Sequence, residues 1–260
     1  MRYLALACDY DGTIATDGKA SPPTLKALQN VSASGRTLIL VTGRLVEDLI
    51  RTFPEHGIFQ SIVAENGAVL YYPATKKLKA LAGPAPAELI AHLRRRRVSP
   101  LEAGHSIVAM RRPHDATALR VMRKLGFSLD IIYNKTSVMI LPPGINKGTG
   151  LLAALDELDI PENSIAGVGD AENDLALLEV CGCGVAVANA VPELKQAADI
   201  ITKAANGQGV QELIERLLRD DLAGVETHSY RANAVLGTDA VKPMAQDDSE
   251  DTISRKTLPK

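Results

Sequence analysis

Two carboxylates stand two positions apart in Cys8-Asp9-Tyr10-Asp11-Gly12-Thr13, at the end of the apolar run Tyr3-Leu4-Ala5-Leu6-Ala7. A strand sends residues i and i+2 to the same side. Asp9 and Asp11 are therefore expected to aim into one site where the strand ends and Gly12 turns the chain. Two acids held side by side are costly unless a cation or a shared proton separates their charges. The pattern suggests metal-assisted chemistry, with one acid as nucleophile and the other as proton donor. Taken alone, the segment reads equally well as a strand followed by an Asp-Gly turn. The rest of the chain decides between the two.

The elements around this pair alternate. Ser21-Pro22-Pro23 reads as a helix N-cap with proline in the first turn, and Leu25, Leu28 and Val31 recur at helical spacing before Gly35. Thr37-Leu38-Ile39-Leu40-Val41 is a continuous apolar run, the mark of a strand buried on both faces, and it ends at Thr42-Gly43-Arg44. A helix through Val46, Leu49 and Ile50 leads to the strand Ser61-Ile62-Val63-Ala64, which ends at Glu65-Asn66-Gly67. Strand, helix, strand, helix, strand implies a parallel sheet with right-handed crossovers.

From about residue 68 to 143 the pattern changes to short strands and turns, with helices beginning near Pro86 and Asp115 and a hairpin whose turn lies at or near Asn134-Lys135. This reads as a separate α+β unit inserted into the parallel fold. The alternation resumes at Lys147 with a helix through Leu151 and Leu155, and the strand Ser164–Val168 ends at Gly169-Asp170. It closes with an amphipathic helix from Gln211 to Leu222. The expected organisation is a core of residues 1–67 and 144–222, an insert of residues 68–143, and a weakly ordered tail of residues 223–260.

Composition narrows the functional classes. The chain has 260 residues, 46% of them hydrophobic, enough to bury a sizeable core. A net charge of -2, no Trp and only 3% aromatics argue against nucleic-acid binding. No apolar run reaches the length of a membrane span, and the N-terminus does not read as a signal peptide. Three cysteines make no disulfide framework, so a soluble cytoplasmic protein is expected.

In an open parallel sheet, ligands bind outside the carboxyl ends of the strands. Four strand ends here carry polar or Gly-rich signals: Asp9-Tyr10-Asp11, Thr42-Gly43-Arg44, Glu65-Asn66-Gly67 and Gly169-Asp170. Each has a plain structural alternative: Thr42 or Asp170 as a helix cap, Asn66-Gly67 as a turn, Lys147 as a solvated first-turn residue. A cation at a helix start is electrostatically unfavourable, which favours a functional Lys147.

In these segments the chain resembles the haloacid-dehalogenase-like (HAD) phosphohydrolases, and among them the Cof-type group with a type IIB cap. The four family motifs appear in order: Asp9-Tyr10-Asp11-Gly12-Thr13, Thr42 with Gly43-Arg44, Lys147 in Asn146-Lys147-Gly148, and Gly167-Val168-Gly169-Asp170-Ala171-Glu172-Asn173-Asp174. The resemblance implies an α/β fold, a Rossmann-like parallel-sheet core with a small inserted α+β cap. It implies Asp9 as the nucleophile that forms an aspartyl-phosphate, and Asp11 as the acid and base. It also implies Mg2+ held by Asp9, Asp11 through its backbone carbonyl, Asp170 and Asp174, the last directly or through water. Thr42, Gly43, Arg44, Asn66, Lys147 and Asn173 become candidate phosphate or substrate contacts, with Asn173 expected to orient Lys147 or the acids.

The small insert resembles the caps of phosphoglycolate and sugar-phosphate phosphatases, which implies a compact phosphorylated metabolite as substrate. The run Arg94–Arg97 points all round a helix and reads as a solvated face, whereas Arg111-Arg112 near a strand end suits a substrate carboxylate. A phosphomutase of the same fold and a regulatory module that binds a phospholigand are the alternative readings.

Overall fold

The computed structural model describes residues 1–227. In chain order the strands are β1 (Ala5–Cys8), β2 (Ala15–Thr16), β3 (Lys19–Ala20), β4 (Thr37–Val41), β5 (Ser61–Ala64), β6 (Val69–Tyr72), β7 (Lys77–Ala80), β8 (Leu101–Ala103), β9 (Val108–Arg111), β10 (Asp130–Asn134), β11 (Ser137–Leu141), β12 (Ile165–Gly169), β13 (Cys183–Ala186) and β14 (Ile200–Ile201). The helices are α1 (Pro22–Ala33), α2 (Val46–Thr52), α3 (Ala87–Arg95), α4 (Asp115–Leu125), α5 (Lys147–Leu158), α6 (Leu175–Val180), α7 (Pro192–Ala197) and α8 (Asn206–Asp220).

The large sheet runs β14-β13-β12-β1-β4-β5-β6-β7, and β14 through β5 are parallel. Its strands alternate between two buried clusters, as the two-residue period requires. Leu6, Cys8, Leu38 and Leu40 pack with Leu28 and Val31 of α1 and with Val210 and Leu213 of α8. Ala5, Ala7, Ile39 and Val41 pack instead with Leu151 and Leu155 of α5 and Leu177 of α6. The result is a three-layer α/β/α core with β1, the strand that leads into Asp9, in its middle.

The second sheet runs β10-β11-β9-β8 and is antiparallel throughout. Val138 and Ile140 of β11 join Leu89 and Leu93 of α3 and Val121 of α4 in a small core of their own. Met139 and Leu141, on the opposite face, belong to the buried cluster of the large unit. The insert thus presents its helices outward and its bare sheet face to the carboxyl ends of the parallel strands.

Two expectations are corrected. Strands β6 and β7, expected to open the insert after residue 67, extend the large sheet antiparallel to β5, so the second sheet is built from residues 101–141. The tail expected from Ala223 begins in contact with the core: Val225 packs against the first cluster and Thr227 is buried. The remainder of that tail lies outside the described residues. Among the described residues no helix is long and apolar enough to cross a membrane.

Candidate active site

The parallel strands deliver their loops to one cleft of about 660 Å³ between the two sheets. Asp9, Asp11, Thr42, Gly43 and Arg44 line it from below, and Arg111, Lys135, Ser137 and Met139 line it from the insert. Gly43 lies so close to the insert that a Cβ there would stand 3.2 Å from Met139 Sδ.

Asp9 follows β1 directly and extends its ladder, donating its N–H to the Val168 carbonyl at 2.9 Å. The residue is 2% exposed. Oδ1 accepts from Lys147 Nζ at 2.5 Å, while Oδ2 is buried without a hydrogen-bond partner. Burial and the charge of Asp174 push the Asp9 carboxyl well above the ordinary range, against the pull of Lys147.

Lys147 is the first residue of α5. Asn146 caps that helix by accepting from the Thr149 N–H, and Thr149 Oγ1 accepts in return from the Asn146 N–H, each at 3.0 Å. The start of α5 presses against the end of β5: a Cβ on Gly67, which has φ +106°, would lie 1.9 Å from the Asn146 carbonyl oxygen. Only glycine permits this approach. Burial alone would push the Lys147 ammonium down, but Asp174 and Asp9 outweigh it and raise it above its ordinary range. The lysine is therefore held charged, and the two acids offset the unfavourable helix dipole.

Asp174 serves this arrangement with both oxygens. Oδ1 accepts from Lys147 at 2.5 Å, and Oδ2 accepts the N–H groups of Asp170 and Ala171, each at 2.9 Å. Asp170 accepts from Thr13 Oγ1 at 3.1 Å and from Lys135 Nζ at 2.5 Å. Burial raises its carboxyl, against the lowering effect of Lys135.

Carboxylate oxygens of Asp9, Asp170 and Asp174 lie within 4.8 Å of one another, and all three residues are buried. Three acids gathered this tightly, one with an oxygen unpartnered, form an oxygen donor set of the kind hard divalent cations prefer. Asp9 and Asp170 fit as direct holders. Both oxygens of Asp170 and of Asp174 accept from protein donors, but Asp174 is held by the buried Lys147 and two backbone N–H groups whereas one Asp170 oxygen is held only by the half-exposed Lys135, so Asp174 fits better as the residue behind.

Not every expected residue meets the cluster. Strand β1 ends at Cys8, so strand alternation does not bring the two acids of the first motif together. Asp11 does line the cleft, but its carboxylate is turned onto Arg44, which donates from Nε at 2.6 Å and Nη2 at 2.8 Å. Arg44 also donates to Asp48 at 2.6 Å and lies over the Tyr10 ring at 5.3 Å. Its guanidinium is thus committed to protein groups. The Thr42 hydroxyl accepts the Arg44 N–H at 3.1 Å and is buried, while α2 begins after Leu45, so Thr42 is no helix cap. Asn173 Nδ2 donates to Asn66 Oδ1 at 2.8 Å, and neither residue is among those that line the cleft. Asn66, at φ +56°, is fully buried.

Four residues escaped the sequence reading. Thr13 lies inside the first motif, yet nothing marked its hydroxyl as a partner of Asp170. Asn189 Nδ2 donates to the Gly12 carbonyl at 2.8 Å from a loop with no motif of its own. Glu65 is fully buried and accepts the N–H groups of His105 and Ser106, each at 2.9 Å, tying the insert to the end of β5. Lys135 was visible only as a hairpin turn.

The profile of haloacid dehalogenase-like hydrolases matches residues 6–97 and 123–214. The chain belongs to that family. A phosphoglycolate phosphatase of Methanothermobacter thermautotrophicus is 34% identical over 221 residues, covering 82% of this chain and 98% of that one. A second phosphoglycolate phosphatase, from Saccharolobus solfataricus, is 46% identical over 97 residues, 37% of this chain and 41% of its own. Among solved structures, a haloacid dehalogenase-like hydrolase from Bacteroides thetaiotaomicron superposes with a TM-score of 0.70 at 20% identity, covering 83% of this chain and 99% of that one. A subclass IIB sugar phosphatase does so with a TM-score of 0.67 at 16% identity, covering 82% and 98%. This family member is accordingly a hydrolase that acts on phosphate esters.

Proposed function

We propose that this protein hydrolyses the phosphate ester of a small metabolite, with phosphoglycolate as the first candidate and small sugar phosphates next, through an aspartyl-phosphate on Asp9. One observation carries the reading. Asp9 is a buried carboxylate with one oxygen fixed by Lys147 and the other unpartnered, at the floor of a cleft between the two sheets. The candidate substrate comes from the name of the relative that matches over nearly its whole length.

In the first half-reaction the free Asp9 oxygen bonds to phosphorus as the ester oxygen leaves, and Asp11 gives that oxygen its proton. Both Asp11 oxygens accept from Arg44 in the closed arrangement, so the acid role requires that pair to open. In the second half-reaction Asp11 takes a proton from water. The water oxygen bonds to phosphorus, the bond to Asp9 breaks, and inorganic phosphate leaves. Charge on the transferring phosphoryl oxygens is offset by the Lys147 ammonium and the Thr42 hydroxyl. Mg2+, held by Asp9 and Asp170 with Asp174 behind, would supply charge neutralisation at the phosphoryl group. The insert acts as a cap that keeps bulk water from the cleft. The three cysteines are free and buried, consistent with a reducing cytoplasmic setting.

The test is phosphate release from 2-phosphoglycolate and a panel of small phosphate esters, with and without Mg2+. The reading expects Mg2+-dependent release that falls by about 10³-fold or more in Asp9→Asn. Folded protein that releases phosphate from no ester would overturn it.

A further inference from the structure

Three cations line the cleft: Arg44, Arg111 and Lys135. Arg44 is spoken for by Asp11 and Asp48, and the buried Lys147 beneath the cleft by Asp9 and Asp174. Lys147 serves the phosphoryl group and Arg44 keeps Asp48 even when Asp11 leaves it, so among the described residues lining the cleft the insert's Lys135 and Arg111 are the cations left for the rest of the substrate. Arg112, the neighbour of Arg111, is turned away, stacked 4.4 Å over the Tyr133 ring. Lys135 reaches from the insert to the acid cluster. It sits at the tip of the β10–β11 hairpin with φ +53°, and its ammonium reaches Asp170 Oδ2 at 2.5 Å. A Cβ on Gly12 would lie 2.9 Å from that nitrogen. The Lys135 N–H is steered by the Glu172 carboxylate at 3.2 Å. Two residues of the same loop thus hold the hairpin tip over the acid cluster.

We propose that Lys135 is a specificity-determining residue that reads a second anionic group on the substrate, a carboxylate placed close to the phosphoester. The assignment rests on the phosphatase reading above. When Asp170 serves a divalent cation, the ammonium loses its partner and is repelled from the cluster. A bound substrate brings a further anion within reach, beside the cleft's own acids Asp11, Asp17, Asp48 and Glu102. In a two-carbon phosphorylated acid the carboxylate is separated from the ester oxygen by a single methylene, so it stays near the level of the nucleophile. Lys135 stands at that level, whereas an uncharged alcohol in the same place leaves the ammonium unpaired.

The experiment compares 2-phosphoglycolate with 2-hydroxyethyl phosphate, which replaces the carboxylate by a hydroxymethyl group of similar size. The quantity read is the ratio of their kcat/KM values in wild type, Lys135→Met and Lys135→Arg. A charge-assisted hydrogen bond predicts that Lys135→Met lowers the ratio by about 10- to 100-fold, mainly through KM for phosphoglycolate, and that Lys135→Arg retains most of it. A ratio unchanged in Lys135→Met, or a wild type with no preference for the carboxylate, overturns the assignment while leaving the phosphatase intact. A wild type that releases phosphate from neither these two esters nor the wider panel removes both readings together.

Discussion

The Lys147 ammonium lies 2.5 Å from Asp9 Oδ1, and neither side chain is more than 3% exposed. A second acid, Asp174, holds the same ammonium at the same distance. Removing one partner of a buried ion pair leaves the others charged and uncompensated. Lys147→Met is therefore expected to lose about 3–5 kcal/mol of stability. Urea denaturation at neutral pH without divalent cations measures this. Added Mg2+ should restore part of the loss, since a cation held by Asp9 also offsets their charge.

Lys135 occupies the Asp170 oxygen that the proposed function assigns to a divalent cation. The lysine side chain is 47% exposed, so its ion pair contributes about 1 kcal/mol at most. Lys135→Met should accordingly bind Mg2+ up to about fivefold more tightly, by calorimetric titration of the protein without substrate. Affinity that weakens instead would mean that Lys135 supports the cation rather than displacing it.

Glu65 is the clasp between the two sheets, and Gly104 is the surface it grips. A Cβ on Gly104 would stand 2.6 Å from both carboxylate oxygens and the carbon between them. Gly104→Ala must push the carboxylate off the N–H groups of His105 and Ser106. Two weakened charge-assisted bonds predict a loss of about 1–3 kcal/mol and faster limited proteolysis of the links that join the insert to the core. Glu65→Ala should do the same without adding bulk.

Asp221 gives a pH-dependent signature remote from the cleft. Burial raises its carboxyl, but the N–H of Arg2, the Arg36 guanidinium and the N–H of Tyr3 outweigh it and hold it below the ordinary range. A carboxyl with a depressed folded-state pKa stabilises the fold above its unfolded value of about 4, and that contribution is lost as pH falls through the folded value. Asp221→Asn should therefore cost about 2 kcal/mol at pH 7, with the difference from wild type vanishing under acid. Thermal midpoints of both proteins between pH 7 and pH 3 read this directly. Asparagine tolerates the left-handed φ of +55° found at this position, so the backbone contributes little to the difference.

The sequence announced the core more clearly than the site. Continuous apolar runs such as Thr37–Val41 can only be strands covered on both faces, and four motif-bearing ends in order place one cleft. Lys147 stood out because its charge opposes the helix start it occupies. Strands β6 and β7 were misassigned because an antiparallel pair carries no label for the sheet it joins, and β7 is exposed on both faces. The Asn66–Asn173 pair spans 107 positions and depends on a left-handed backbone at Asn66, neither of which a local pattern reveals. Lys135 was hidden for a simpler reason. A lysine in a turn is ordinarily a solvated residue, and only the folded insert brings that turn over the acids.

Among the described residues β7, exposed at all four positions, closes the large sheet with an open row of backbone donors and acceptors, the natural template for accretion of a foreign strand. Lys77 and Lys79 stand on that strand, and Lys79 is pinned by Glu157 at 2.5 Å. A strand approaching edge-on must bury or repel those ammonium groups, so the same short segment that widens the sheet also guards the molecule against assembling into fibres.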